Sequence, residues 1–387
     1  MSTTDGVAPH KLRLAVVRDF REEGWPSMDL AADMLLEQLA ADATLSVEDI
    51  APSYRHLLTR LPGLSQRGAA RNFDRLWNRF ATVPRAMRAA RERFDAFHIV
   101  DHSHAHLVHA LPAERTGVYC HDLDTFRCLL EPEKEPRPLW FRLMARRILS
   151  GLRRAAIVFH NSRSTGEELL RWKLVEPAKL KWVPLGVAPE FSPQQLNETK
   201  MTEHRVAIGE APYLLHVGSC IPRKRIDLLL DLFAQLRIDD PRLLLVKAGD
   251  AWTEAQAAQI ARLGIGDSIR HFGKLTRLRL ADVVRGAAVV VIPSAAEGFG
   301  LPVIESLACG VPVVASDLAT LREAGGDAAT YAPVGDLEAW VAAVAEAMAK
   351  RHDAVERRRR LDWASQFSWE RHARTIADAY RELLAIR

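Results

Sequence analysis

Short runs rich in Val, Ile and Leu recur along the chain, each followed by a stretch whose apolar positions return every three to four residues. The first run is Leu12 to Val17, followed by a turn region holding Gly24 and Pro26 and a helical pattern from about Ser27 to Ala41. Phe97 to Val100, Thr116 to Tyr119, Ala155 to Phe159 and Lys181 to Val183 read as further strands, with helical stretches at Leu139 to Arg154 and Ser164 to Lys173. Strands that are apolar at every position need cover on both faces, so this alternation predicts a parallel sheet between layers of helix. From Gly186 to about Val206 the pattern dissolves into Pro, Gln, Asn and Thr, which reads as a linker. It restarts with strands at Tyr213 to Val217, Leu243 to Ala248 and Ile269 to Phe272, and helices at Arg225 to Arg237, Thr253 to Leu263 and Leu278 to Gly286. The tail is an amphipathic helix with Trp369, Ile376, Tyr380 and Leu383 on its apolar face. The expected class is α/β: two doubly wound, Rossmann-like domains at residues 1–195 and 205–366 facing a central cleft, closed by residues 367–387. Ligands are expected outside the carboxyl ends of the strands.

One stretch of the second half carries chemistry. Ala287 to Ile292 reads as a buried strand, Val303 to Ala308 as a short helix opened by Pro302 and stopped by Gly310, and Val311 to Ala315 as the next strand. Between the first strand and the helix lies Glu297-Gly-Phe-Gly-Leu-Pro-Val-Ile-Glu305. Glycines at a helix start leave bare amide N–H groups and the positive end of the dipole facing an anion. Glu297 lies in the loop, and Glu305 about one turn into the helix, roughly 6 Å further along. Such a site suits a ligand with phosphate in its middle and hydroxyls at both ends, as in a nucleotide sugar. A second strand–loop–helix, His216-Val-Gly-Ser-Cys-Ile-Pro-Arg-Lys-Arg-Ile226, supplies Gly218 and a run of cations that can clamp a diphosphate. Cations at a helix start oppose the dipole, which favours a ligand role. Spacing leaves open which of Arg223, Lys224 and Arg225 meets the phosphates.

These stretches resemble the signature of the retaining glycosyltransferases of family 4 (the group 1 glycosyltransferases), whose two glutamates are separated by seven residues, as Glu297 and Glu305 are here. The resemblance spans nearly the whole chain and is strongest from Tyr213 to Pro333. It implies the GT-B fold, with the tail helix crossing back onto the first domain. It implies that Glu297 contacts the donor sugar, that Glu305 binds the ribose, and that the amides of Gly298, Phe299, Gly300 and Leu301 hold the distal phosphate. Gly218, Arg223 and Lys224 fall at the diphosphate, although Ser219 stands where the family often has Arg. Lys274 falls near the nucleobase, and His121 of the His121-Asp122 pair near the transferred sugar and acceptor. The loop Arg18 to Ser27 carries one glycine, Gly24, where the family has a pair that touches the acceptor.

The implied activity is retaining transfer of a hexose (mannose or glucose type) from a UDP- or GDP-sugar to a glycan or lipid-linked acceptor in cell-surface polysaccharide synthesis, without cofactor or metal. Cleaving a sugar–diphosphate bond builds negative charge on the leaving phosphate, which fixed cations and amides stabilise. Glu297, His121, Arg223 and Lys224 are the catalytic candidates. Glu297 would orient the sugar, and the donor's own phosphate would help deprotonate the acceptor.

Bulk properties narrow the setting. A length of 387 residues suggests two domains, and 53 Lys and Arg against 49 Asp and Glu is too slight an excess to require nucleic acid. Cys120, Cys128, Cys220 and Cys309 form no Cys-x-x-Cys pair, the N-terminus is polar, and no apolar run approaches the roughly 20 residues of a bilayer span. The reading is a cytoplasmic protein, or a peripheral one on the inner face of the cell membrane. Ala51 to Arg93 holds ten arginines against Asp74 and Glu92. Leu57, Leu58, Leu61, Leu64, Phe73, Leu76, Trp77, Phe80 and Met87 recur there at roughly helical spacing. That segment is either a surface for anionic lipid, with Arg71, Arg75 and Arg79 upon it, or a solvated helix pair packed on its domain.

No metal site is expected. His102, His104, His106 and His109 lack an acid or thiol set at ligand spacing, except for Asp101, and Asp122-Leu-Asp124 only imitates the metal-binding pair of the other glycosyltransferase fold. A nucleotide-sugar epimerase of the same fold would bring its own carboxylates. A dinucleotide oxidoreductase would show Gly-x-Gly-x-x-Gly after Leu12–Val17 or Tyr213–Val217, and neither does. A non-catalytic nucleotide-sugar or nucleic-acid binder is disfavoured by the intact glutamates.

Overall fold

The structure, a computed structural model, describes residues 11–51, 53–61, 63, 68–194 and 208–385. It divides into two compact units, Met1–Leu185 with Trp369–Arg387, and Gly186–Ser368. The sheet of the first unit comprises β1 (Leu12–Val17), β2 (Leu45–Ile50), β3 (Ala96–Ile99), β4 (Thr116–Cys120), β5 (Ile157–His160) and β6 (Leu180–Trp182). Their order is β2-β1-β3-β4-β5-β6, and every pair is parallel. β2 is absent from the sequence expectation because Leu-Ser-Val-Glu-Asp-Ile is an edge strand with one wet side, not a continuous apolar run. The second sheet comprises β7 (Tyr213–Val217), β8 (Leu244–Ala248), β9 (Ile269–Phe272), β10 (Val289–Ile292), β11 (Val313–Ser316) and β12 (Thr330–Ala332). It is ordered β12-β11-β10-β7-β8-β9, again all parallel. β12 is likewise absent from that expectation, being too short to show a period.

Both sheets are covered as their composition demands. Phe97, Ile99, Val118 and Val158 are wholly buried under helices in the first unit, and Leu229, Phe233, Val291, Val314 and Trp340 in the second. In each sheet the chain starts in the interior, builds towards one edge, then returns to build towards the other. The reversal falls between β1 and β3 in the first unit and between β7 and β10 in the second. Neighbouring loops part there, which opens a crevice at the carboxyl ends of the strands.

The unit boundaries differ from the sequence expectation. Residues 195–206 of the expected linker lie outside the described residues, but 186–194 belong to the second unit. Val187 N–H donates to the Phe367 carbonyl at 3.1 Å, and Arg285 holds the carbonyls of Glu190 and Ser192 at 3.0 and 3.3 Å. The tail helix Trp369–Ala385 belongs to the first unit. Its buried Tyr380 donates to the Phe97 carbonyl at 2.9 Å, and Arg381 reaches Asp42 at 2.5 Å.

Candidate functional site

The crevice of the second unit gathers the residues singled out in the sequence. After β7 the chain turns through Gly218 into a short turn, Pro222–Lys224, and after β10 it runs through Pro293 to Gly300 into the helix Leu301–Ala308. The two loops are tied by the Ala295 N–H to the Arg223 carbonyl at 2.7 Å and by Arg223 Nη1 to the Ala296 carbonyl at 2.9 Å. Glu297 sits in this seam with its side chain about 10 % exposed. Its Oε1 accepts from Lys224 Nζ at 2.5 Å and Ser294 Oγ at 2.7 Å, and Oε2 lies 3.5 Å from Arg223 Nη1. Burial alone would raise the carboxyl, but the Lys224 charge and hydrogen bond, Ser294 and Arg223 outweigh it and hold Glu297 below the usual carboxylate range.

Local geometry separates the three cations. Arg225 has a left-handed backbone (φ +49°) and folds its guanidinium onto Asp227 at 2.8–3.1 Å. Arg223 and Lys224 converge on Glu297 instead. Gly300 caps the helix at φ +104°, a conformation other residues adopt only with strain. Phe299 is buried edge-on to Phe367, 5.9 Å between rings, which fixes the loop carrying Gly298 and Leu301. Lys274 is exposed at the end of edge strand β9, two strands away from β7.

Two features here gave no usable signal in the sequence. His216, fully buried on β7, donates from Nδ1 to the Val291 carbonyl at 3.0 Å and leaves Nε2 without a partner. Burial, the largest influence, and the charges of Lys224 and Lys247 push it down to about 4, so it is neutral and Nε2 is a lone pair. A Cβ at Gly218 would make ordinary contacts, 3.5 Å from that nitrogen and 3.8 Å from Lys224 Cε, so it is the backbone angle, φ +155°, rather than lack of space that favours glycine here. The second feature surrounds Glu305, which is 7 % exposed and pushed up to about 8 by burial and by the charge of Glu190, with Arg277 opposing. Glu190 pairs with Arg277 at 3.2 Å through one oxygen, and its Oε2 is buried without a hydrogen-bond partner. Glu190 falls in the stretch read as linker, where nothing marked it.

The first unit holds a buried charge cluster at its own crevice. Arg79, about 5 % exposed, donates to the Ser103 carbonyl at 2.8 Å and to Ser103 Oγ at 2.5 Å. Ser103 Oγ in turn donates to Asp101, and His102 Nδ1 lies 3.0 Å from the same carboxylate. Burial opposes a charge on His102, but Asp101 outweighs it and raises the imidazole to about 9. Asp19 is buried with neither oxygen hydrogen-bonded, 2.8 Å from His104 Nδ1, and burial together with Asp101 raises its carboxyl well above the usual range. Asp19, Asp101 and His104 therefore present ligand-type atoms within 4.8 Å of one another, a set the sequence could not show because Asp19 comes from the loop after β1. Arg79 and His102 already supply positive charge to this cluster.

His121 also lies in the first unit, buried at the end of β4 with Nε2 donating to the Val100 carbonyl at 2.9 Å. Asp122 accepts from the Asp124 N–H at 3.0 Å in a local turn. Gly24 ends the turn Arg21–Glu23 with φ +70°. The expectation that Arg71, Arg75 and Arg79 share a basic outer face needs correction. Arg71 is exposed, but Arg79 is buried on Ser103, and Arg75 forms a two-pronged ion pair with Glu23 at 2.8 Å on each prong. The Ser103 carbonyl draws the Arg79 guanidinium inward, while Arg75 stays 41 % exposed with its charge spent on the buried Glu23. Leu64 lies outside the described residues.

Comparison with known proteins bears on the family and the fold. The family model for glycosyl transferases group 1 matches residues 198–366, and that for Glycosyltransferase Family 4 matches residues 33–191. O-antigen chain mannosyltransferase B of Escherichia coli is 28 % identical over 276 residues, covering 70 % of this chain and 71 % of that protein. A D-inositol 3-phosphate glycosyltransferase of Kribbella flavida is 33 % identical over 238 residues, 57 % of this chain and 55 % of that protein. The match thus spans only about half the length of that second relative. Among solved structures, sucrose-phosphate synthase of Thermosynechococcus elongatus superposes with a TM-score of 0.75 at 20 % identity, covering 97 % of this chain and all of that one. HepE of Anabaena, solved with UDP-glucose, gives 0.71 at 17 % identity over 96 % of this chain and all of that one. These likenesses show the GT-B fold.

Proposed function

We propose, from the premise that the chain belongs to the group 1, family 4 glycosyltransferases, that it transfers a hexose with retention from a UDP- or GDP-sugar. The acceptor in this reading is a glycan or a lipid-linked sugar of cell-surface polysaccharide, and no metal takes part. The observation that carries it is the convergence of Lys224, Arg223 and Ser294 on the buried Glu297 beside a helix start. A diphosphate entering there competes with Glu297 for the two cations. As they shift to the phosphates, Glu297 is left as an acceptor for sugar hydroxyls, which restore its lost hydrogen bonds. Lys224, Arg223 and the amides from Gly298 to Leu301 then stabilise the charge that grows on the leaving diphosphate. Glu305, buried and holding a proton near neutral pH, can give one hydrogen bond and accept another, which suits a ribose diol.

The mannosyltransferase relative favours a mannose-type hexose. In the first unit, His121 has committed Nε2 to Val100 and can offer only Nδ1 to a hydroxyl. The setting in this reading is the cytoplasm or the inner face of the cell membrane. The test is sugar release from a panel of UDP- and GDP-hexoses by wild type and Glu297→Gln. Release should fall about a hundredfold or more in the variant, and equal release by both would remove the assignment. An inverted anomeric product by NMR would reject retention alone.

A further inference from the structure

Lys247 is a charged residue in the interior of the second unit's sheet. It lies on β8, in register with His216 of β7 and His271 of β9, and it is fully buried. Its Nζ donates to the Asp250 carbonyl and stands 5.0 Å from the centre of the Trp252 ring. Filling a sheet interior calls for no charge, and an apolar side chain of the same length would cost less to bury. The buried ammonium is explained by what it holds, which is the loop from Gly249 to Trp252.

That loop is the seat on which the loop after β7 rests. Gly218 N–H donates to the Ala248 carbonyl at 3.0 Å, and Gly249 packs so closely on Gly218 that a Cβ at 249 would lie 2.2 Å from the Gly218 carbonyl oxygen. Cys220 Sγ lies 3.6 Å from the Asp250 carbonyl, and Gln256 of the helix Glu254–Leu263 donates to the Cys220 carbonyl at 3.2 Å. From β9, His271 Nε2 donates to the carbonyls of Gly249 and Asp250 at 3.0 and 3.1 Å. The Asp250 carbonyl thus gathers Lys247, His271 and Cys220, and the turn Pro222–Lys224 begins two residues beyond Cys220. Close packing leaves no slack between Gly249 and Gly218, so a shift of one loop passes to the other and on to Arg223 and Lys224.

We infer that Lys247 is a positioning residue of the donor crevice: through the Asp250 carbonyl it seats the Gly249 loop against Gly218 and so fixes where Arg223 and Lys224 meet a diphosphate. This rests on reading the crevice as a nucleotide-sugar site. The experiment is titration calorimetry of the full chain with UDP and with GDP, which reads affinity and stoichiometry separately. In Lys247→Met the diphosphate that wild type binds should bind about tenfold more weakly at unchanged stoichiometry, because the Asp250 carbonyl loses a charged donor. Lys247→Arg keeps a donor within reach of that carbonyl and should come within about threefold of wild type, a recovery that a general loss of packing would not allow. His271→Phe, at an exposed position, removes the second donor to the same loop and should weaken binding about threefold. It decides the matter if circular dichroism shows Lys247→Met unfolded. Undiminished affinity in Lys247→Met, a loss that Lys247→Arg does not reduce, or a loss confined to stoichiometry would overturn the inference. The sugar-transfer reading survives those results as long as Glu297→Gln still lowers sugar release. Wild type that binds neither diphosphate overturns that reading and this inference with it.

Discussion

Lys224→Met deletes the ammonium that neutralises Glu297 while keeping most of the aliphatic stem that packs beside Gly218. In the native protein the two side chains are 14 % and 10 % exposed and 2.5 Å apart, so the pair is largely dry. Removing one member of a buried pair costs about 3–5 kcal/mol because the other is left uncompensated. Glu297 would keep Ser294 at 2.7 Å and Arg223 at 3.5 Å, which softens the loss. We expect about 2 kcal/mol near neutral pH, or about 4–8 °C in melting temperature for a unit of this size. The sign of the pH dependence follows from the depressed carboxyl of Glu297. Its stabilisation is present above the unfolded value, about 4.3, and is lost as pH falls through the lower folded value. Lys224→Met removes the main cause of that depression, so the penalty should be largest at pH 7.5 and shrink towards pH 4.5, where the stranded carboxyl takes up a proton cheaply. Adding Glu297→Gln removes the charge that needs a partner, so the double variant should recover about 1–2 kcal/mol relative to additive losses. Thermal unfolding of wild type, both single variants and the double variant at the two pH values gives the cycle. Additive losses, or a Lys224→Met penalty that is the same at both pH values, would refute the pairing.

Two further outcomes follow from the same crevice. Glu305, raised to about 8 first by burial and then by Glu190, holds a proton in the folded state that the unfolded chain releases above about 4.3. The stability linked to it is therefore full below that pH and drains away as pH rises to about 8. Glu305→Gln should accordingly melt above wild type at pH 7.5, by on the order of 2 kcal/mol, and level with it at pH 4.5; a variant less stable at pH 7.5 would show the acid to be ionised. Gly300→Ala places a Cβ 2.9 Å from Leu321 Cδ2 at φ +104°, which costs about 1–2 kcal/mol and displaces the amides that open the helix. Its sugar release, in kcat/KM, should fall about tenfold or more while circular dichroism stays native, and undiminished turnover would show that those amides do not grip the donor.

Much of this molecule is a local property of its chain. Runs such as Val289–Ile292, β-branched and apolar at every position, read as covered strands, and Gly300 before Pro302 reads as a turn into a helix. The parallel sheets and the loop that carries Glu297 and Glu305 were therefore legible from the residues alone. Strands with little pattern were not: β2 alternates at an edge and β12 is three residues long.

Pairing between distant segments was decided in three dimensions. Strand order sets β7 beside β10, and only then do Arg223 and Lys224 meet Glu297 across a sequence gap of more than 70 residues. The same chain composition could have sent Arg225 to the site, but its positive φ and Asp227 took it elsewhere. Glu190 joins Glu305 because Arg277 and Arg285 hold its segment against the second unit. Arg79 turns inward because a buried carbonyl binds its guanidinium more strongly than helical periodicity directs it, and Arg75 spends its charge on the buried Glu23, while Phe73, Trp77 and Phe80 stay outside. A residue's backbone preference is written in its neighbours in sequence, whereas the partner of a charge is fixed by distance in space, and that distance exists only once the sheets have formed.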